Sequence, residues 1–213
     1  MKTRSKALLL TLCAVLLVAA SVLGTMAYLT STDTVTNTFT VGSVAIKLDE
    51  AQANTDGTLV PNAERVKANS YKLLPGHTYN KDPMVTVLSG SEPSYVKMTV
   101  TFSKANELDA IFAPGGADLT KIFNGYDPAN WIYKGNTKNA TANTRTYEFW
   151  YKEAVGAPDG DVALDALFDS ITVPGSVTKE QLATIEGMTI TVNAYAIQAD
   201  GFADAGAAWA AFN

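Results

Sequence analysis

The sequence predicts a mostly β protein, a jelly-roll-like β-sandwich with a few short helical insertions. Apolar and polar residues alternate with period two over several long runs, and these runs are rich in Thr, Val, Tyr and Phe. Turns that contain Gly or Pro separate the runs. Because no linker is long enough to divide the 213 residues and no repeat occurs, we expect one β-sandwich domain over residues 42–213, with two special segments before it.

The first of these segments, residues 1–27, has the three-part pattern of a secretory signal peptide. Three basic residues precede an apolar run over residues 7–20, and small residues close the segment at Gly24-Thr25-Met26-Ala27. This pattern predicts secretion, with cleavage between Ala27 and Tyr28 and no stable membrane insertion afterwards. A retained membrane anchor is the alternative, since the uncharged core of about 17 residues lies at the lower limit for spanning a bilayer.

Residues 28–41 form the second segment, a candidate donor strand. They are rich in β-formers, include no Pro, Gly, Lys, Arg or Glu, and have Asp33 as their one charged residue, outside the alternating stretch from Val35 to Val41. The residues that share one face are Val35, Asn37, Phe39 and Val41. Such an uncharged strand either pairs within its own chain or adds to a sheet edge of another chain. The alternation slips at Gly42 and Ser43, which predicts a bulge or a hinge.

Beyond this break, alternation predicts the strands of the domain. The first has Val44, Ile46 and Leu48 on its apolar face, and the others cover residues 84–88, 95–102, 146–151 and 188–198. In the second of these ranges the inward residues are Val96, Met98, Val100 and Phe102. Short helices are expected over residues 106–112, 119–123 and 203–212, and a capping box from Thr178 to Gln181 predicts another that ends near Glu186.

Charge and cysteine usage limit the partners of the chain. The signal holds three of the 16 Lys and Arg residues and none of the 21 Asp and Glu residues, so cleavage leaves a more acidic chain than the full-length net charge of −5. An acidic surface repels phosphates, and nucleic acid is therefore not an expected partner. The one cysteine, Cys13, lies in the signal, so the domain depends on its core rather than on disulfides.

Candidate catalytic and metal-binding residues are few, and no catalytic residue or cofactor is predicted. His77 is the single histidine, which excludes a two-histidine zinc motif, and it lies in a turn sequence. Asp159 and Asp161 flank a glycine, so they form either a solvated turn or a weak calcium site. Glu148 and Glu153 flank an aromatic strand, which is compatible with a glycosidase pair but more typical of core packing.

Two tryptophans have two interpretations each. Exposed tryptophan binds glycans, whereas burial in the core is the default. Trp131 lies in a predicted edge strand, and Trp209 lies in the final Ala-rich helix. We expect both to be buried.

Five stretches carry a family resemblance. They are Gly24-Thr25-Met26-Ala27-Tyr28-Leu29-Thr30, Asn37-Thr38-Phe39-Thr40-Val41-Gly42, Leu74-Pro75-Gly76, Lys81-Asp82-Pro83 and Ala194-Tyr195-Ala196-Ile197-Gln198. Together they resemble the TasA/camelysin family of secreted biofilm matrix proteins, whose signals are removed by a SipW-type signal peptidase. The likeness is strongest in residues 1–50 and looser in residues 109–158.

The resemblance implies a jelly-roll subunit in the extracellular matrix or at the cell surface of a Gram-positive-type bacterium. In that family the mature N-terminus completes the sheet of a neighbouring subunit, so the expected partners are further copies of the chain, other matrix proteins and the signal peptidase. Camelysin-like members are described as metallopeptidases, which makes a cell-surface protease one alternative function. A surface adhesin or glycan-binding module is the other, for which Trp131 and the aromatic strand are the hints.

Overall fold

The computed structural model describes residues 2–27, 42–112 and 122–212. The chain divides into two units, residues 1–41 and residues 42–213. In the first unit, helix α1 (Lys2–Ala27) ends at the residue where the signal is predicted to end. Within the described ranges, no helix has the length and apolar character that crossing a membrane requires. The predicted donor strand, residues 28–41, lies outside the described residues.

The second unit is mostly β and confirms the predicted fold class. Its strands are β1 (Ile46–Asp49), β2 (Thr78–Asn80), β3 (Met84–Val87), β4 (Ser91–Ser103), β5 (Trp131–Asn139), β6 (Thr144–Tyr151), β7 (Val155–Ala157), β8 (Val162–Ala163), β9 (Ser170–Thr172) and β10 (Ile190–Gln198). A five-stranded sheet has the order β10-β4-β6-β5, with β7 also paired to β4, and a three-stranded sheet has the order β1-β3-β8. Strands β2 and β9 form a separate pair, and all the pairings between named strands are antiparallel.

Strand β4 is the centre of the larger sheet, and its sequence explains its position. The alternating residues predicted to point inward are all buried; they are Val96, Met98, Val100 and Phe102. They share one hydrophobic core with Val85 and Val87 of β3 in the other sheet. Side chains from the two sheets therefore pack against each other, as in a β-sandwich.

The helices of the second unit are α2 (Ala105–Phe112), α3 (Lys179–Thr184) and α4 (Ala205–Ala211). The predicted capping box is present at the start of α3, because the side chain of Thr178 accepts from the backbone of Gln181 and that of Gln181 accepts from the backbone of Thr178. The helix predicted over residues 119–123 lies partly outside the described residues. At its end the prediction is wrong, since Ile122 and Phe123 lie in a turn and bend. The turn brings the ring of Phe123 into the core, where it stacks on Phe168 with 4.6 Å between ring centroids.

Candidate assembly groove

A large apolar groove lies beside the end strand of the five-stranded sheet. It has a volume of about 2070 Å³ and is lined by residues of β1, β10, α2, α3 and the irregular segment 67–75. Its apolar lining includes Leu48, Leu108, Ile111, Met188, Ile190 and Val192. Small-molecule sites usually have volumes of about 300–1,000 Å³. The groove is therefore large enough for a segment of polypeptide.

Strand β10 is an edge strand, and its first three residues, Ile190 to Val192, line the groove. Within the described part of the chain, it pairs with β4 and with no other strand. Its side chains alternate, and one face packs against the hydrophobic core through Ile190, Val192, Ala194 and Ala196. Its nine residues include no charged residue, no proline and no glycine.

The ladder between β10 and β4 shows which backbone groups of β10 face the open edge. Just before β10, Thr189 O accepts from Ser103 N at 3.0 Å, and just after it, Ala199 N donates to Pro93 O at 2.8 Å. Because hydrogen-bonded and non-hydrogen-bonded pairs alternate in an antiparallel ladder, the odd-numbered residues of β10 bond to β4. The even-numbered residues therefore direct their N–H and C=O groups towards the open edge. Among the described strands only β4 pairs with β10, although β1 also lies close to part of it.

Strand β1, on another side of the groove, has a more occupied edge. Glu50, which follows β1, exchanges two backbone hydrogen bonds with Val66 at 2.9 and 2.7 Å. The ammonium of Lys67 donates to Leu48 O at 2.5 Å. Because these contacts already use backbone groups at this edge, β10 offers the better template for an added strand.

Strand β5 forms the opposite edge of the same sheet and has the features that block strand addition. Lys134 and Lys138 lie on it, and the pairing register with β6 shifts between Tyr133 and Gly135. Gly135 has a φ of 132°, a conformation that favours glycine. Lysines and bulges are the usual devices that prevent edge-to-edge association.

A buried ion network closes the polar end of the groove. Arg65 Nε lies 2.5 Å from Asp49 Oδ1, and Arg65 Nη1 lies 2.8 Å from Asp82 Oδ2. Burial opposes ionisation of Asp49, but hydrogen bonds and charge interactions with Lys47 and Arg65 outweigh it and lower the pKa of Asp49. Lys81 Nζ lies 2.5 Å from Glu50 Oε2. These pairs fasten the irregular segment after β1 against the sandwich, because buried charges are stable only when they are paired.

The predicted hinge lies where the second unit begins. Ser43 forms a parallel bridge with Ser91 at the start of β4, and Ser43 O accepts from Glu92 N at 2.9 Å. A Cβ atom on Gly42 would come within 2.8 Å of Glu92 Cγ, so glycine allows these two segments of the chain to approach closely. Hinge motion here stays a prediction, as does cleavage between Ala27 and Tyr28.

The residues considered from the sequence as catalytic or metal-binding candidates, His77, Asp159 and Asp161, lie in turns or on the exposed surface. His77 is exposed, and its ring centroid lies 6.4 Å from that of Tyr79. Asp161 Oδ1 accepts from Ser89 N at 2.8 Å, and Asp159 is exposed. Over residues 2–27, 42–112 and 122–212, no group of three or more His, Cys, Asp or Glu residues is placed to hold a metal ion.

The aromatic candidates have structural partners. Glu148 Oε1 accepts from Trp150 Nε1 at 2.6 Å, whereas Glu153 is exposed after β6. Trp131 is fully buried, and its Nε1 donates to Asp165 O at 3.0 Å. Trp209 is also buried, with the ammonium of Lys97 4.4 Å from its ring centroid. Burial of both tryptophans confirms the expectation that they belong to the core.

Two features were not predicted from the sequence: the open edge of β10 with its groove, and the ion network around Glu50. The absence of charge from residues 190–198 was a visible signal for the first. The second had no local signal, because its members are far apart along the chain. No family model, no curated protein and no solved structure matches this chain.

Proposed function

We propose that this chain is a structural subunit of an extracellular fibre and that subunits join head to tail by strand addition. Residues 28–41 of one subunit add to β10 of the next and fill the groove beside it. The observation that supports this most directly is the edge of β10, which is uncharged and apolar on its inner face. Edges of that kind are normally guarded, because they are templates for pairing with another chain.

The lengths of the two partners agree. An extended strand advances about 3.3 Å per residue, so residues 28–41 span roughly 46 Å and the nine residues of β10 span roughly 30 Å. The donor segment therefore covers the whole of β10 and leaves several residues as a connection. Those residues allow the body of the donor subunit to stay outside the groove.

The chemistry of the two partners also agrees. Val35, Phe39 and Val41 are separated by even numbers of residues, so their side chains lie on one face of an extended donor strand. They therefore enter the groove together. The backbone of the donor pairs with the outward-facing groups of even-numbered β10 residues. Main-chain bonds then supply general affinity, while alternate side chains supply fit. Because donor and groove are different surfaces, the contact is heterologous and propagates into a filament rather than closing as a dimer.

Export fits the same scheme. Cleavage after Ala27 would make Tyr28 the free N-terminus and place the donor strand at the very start of the mature subunit. The resemblance to the TasA/camelysin family supports both the processing by a SipW-type peptidase and the location in an extracellular matrix. Further copies of the chain, and other matrix proteins, are the proposed partners.

Two substitutions on opposite faces of the donor test the proposal. Phe39→Asp places a charge in the groove, whereas Thr38→Asp places it on the outer face. Truncating a buried Phe costs about 3–5 kcal/mol, and half of that at each junction lowers the association constant at least tenfold, since about 1.4 kcal/mol is one decade. We expect soluble monomers from Phe39→Asp and nearly normal fibres from Thr38→Asp, as measured by sedimentation and electron microscopy. Normal fibres from folded Phe39→Asp protein would refute strand donation by this segment.

A further inference from the structure

We propose that Lys81 and Asn69 become joined by an intramolecular isopeptide bond, with Glu50 as the proton carrier. The bond would be an amide between Lys81 Nζ and Asn69 Cγ, formed with release of ammonia. This inference does not depend on fibre assembly, because all three residues belong to one folded domain.

A single carboxylate holds the two reacting groups. Lys81 Nζ donates to Glu50 Oε2 at 2.5 Å, and Asn69 Nδ2 donates to Glu50 Oε1 at 2.9 Å. Glu50 and Lys81 are only 5% and 8% exposed. The amine and the amide are therefore held on the same carboxylate, at a part-buried position in the lining of the groove, and such positioning is the main requirement for reaction between weak partners.

The amide of Asn69 is fixed on all sides. Its Oδ1 accepts from Ala53 N at 2.9 Å, and its Nδ2 donates a second bond to Ala51 O at 2.9 Å. These contacts orient the carbonyl oxygen towards a backbone N–H and the nitrogen towards Glu50. A backbone N–H in this position stabilises the negative charge that develops on the oxygen when an amine attacks the carbon.

Tyr71 lies beside Glu50 in the same site. Burial and then the negative charge of Glu50 raise the pKa of the neighbouring Tyr71, whose hydroxyl donates to Asn80 O at 2.6 Å. Low polarity penalises a separated ammonium and carboxylate. In the proposed reaction, one proton passes from Lys81 to the Glu50 oxygen that it already contacts, which leaves a nucleophilic amine on the same carboxylate as the amide.

The reaction balances without any further reagent. Lys81 Nζ gives one proton to Glu50 Oε2 and attacks Asn69 Cγ, which forms the new C–N bond. Nζ then loses a second proton, Nδ2 takes up one proton, and the Cγ–Nδ2 bond breaks. The products are a secondary amide, ammonia and protonated Glu50, which returns to the carboxylate when ammonia takes its proton. Neither oxidation nor reduction is involved.

Such a bond would serve the domain in the way a disulfide serves others. The one cysteine of the chain lies in helix α1, so the domain has no thiols. A covalent link between Asn69 and Lys81 closes the irregular segment between β1 and β3 and limits the freedom of the unfolded chain. It would make this segment resistant to proteolysis and to pulling along a fibre.

Mass spectrometry of the purified chain tests the proposal directly. We expect the intact mass to be lower than the sequence mass by one ammonia, and a digest to contain a branched peptide that joins Asn69 to Lys81. Glu50→Gln should restore the full mass, whereas Glu148→Gln, at a carboxylate bonded to Trp150, should leave the link intact. A wild-type chain with the full sequence mass, or an ammonia loss located at another residue, would overturn the proposal. The branched peptide in the wild-type digest decides the matter even if Glu50→Gln fails to fold.

Discussion

Strands β10 and β5 are the two edges of one sheet, yet they present different surfaces to other chains. β10 has a regular ladder, no charged residue and an apolar inner face beside a groove. β5 has two lysines, a register shift and exposed residues over its second half. Because both edges belong to the same fold, the difference does not follow from folding needs. Under the proposed function, β10 is the edge that accepts a strand and β5 is the edge that does not.

The two edges differ in the surface that they offer to other chains, but they share one hydrophobic core. The core behind both edges is continuous, since β4 and β6 lie between them and contribute Met98 and Phe149. Lys134 and Lys138 of β5 are exposed, so charge at this edge would oppose association at little cost to the core. Substitutions at the two edges should therefore change association more than they change folding.

The largest effect is expected from a charge on the inner face of β10. Val192→Lys directs an ammonium into the groove, where burial without a partner is costly. A loss of about 3 kcal/mol at each junction lowers the association constant by roughly two decades. Sedimentation and electron microscopy should show monomers for Val192→Lys and fibres for Asn193→Lys, whose side chain is exposed on the opposite face and is not part of the groove lining. Circular dichroism controls for folding, and fibres from folded Val192→Lys protein would contradict the role of this edge.

A smaller effect is expected from removing the protection of β5. Lys134→Thr combined with Lys138→Thr takes away like charges that would oppose each other in a β5–β5 pair, each contributing about 0.2–1 kcal/mol. The second change also removes the ion pair between Lys138 and Asp109, so urea unfolding must accompany the measurement. We expect new, weak self-association, stronger by roughly one decade. Making the change in the Phe39→Asp chain removes assembly through β10, so light scattering then reports on β5 alone. Unchanged scattering over a wide concentration range would show that the lysines do not protect this edge.

The smallest effect is expected at the ion pairs that tie α2 to the β5 side of the sheet. Asp109 lies 2.7 Å from both Lys138 Nζ and Arg145 Nη2, and these pairs outweigh burial and lower the pKa of Asp109. A lowered folded-state pKa stabilises the protein above the ordinary Asp value of about 3.9, and this stability is lost as the pH falls through the folded-state pKa. Asp109→Asn should lower the free energy of unfolding by about 1 kcal/mol near neutral pH.

The pH dependence of the difference in unfolding free energy between wild type and Asp109→Asn tests whether charge accounts for it. In urea unfolding, wild type and Asp109→Asn should differ near neutral pH and converge in strong acid, where the wild-type carboxyl is also neutral. A difference that is the same in strong acid would mean that packing, rather than charge, accounts for the effect.

Much of the fold could be predicted because its signals are local. The inward residues of β4 follow from alternation, the start of α3 from its capping box, and burial of Trp131 from the general tendency of tryptophan to lie in the core. The helix predicted to end at Phe123 was wrong because core packing, which is not local, required a turn there. The groove was not predicted, since a cavity exists only between elements that are distant in sequence.

By itself, the sequence determined the β class, the positions of the main strands and helices, and the polar or apolar character of each face. These depend on periodicity and on capping, which act over a few residues. Only the tertiary structure decided that β10 is an edge, that the groove lies beside it, and that Glu50 holds Asn69 and Lys81 together. Strand order and side-chain contacts of this kind form between segments that are far apart in the chain, and no local pattern of residues encodes them.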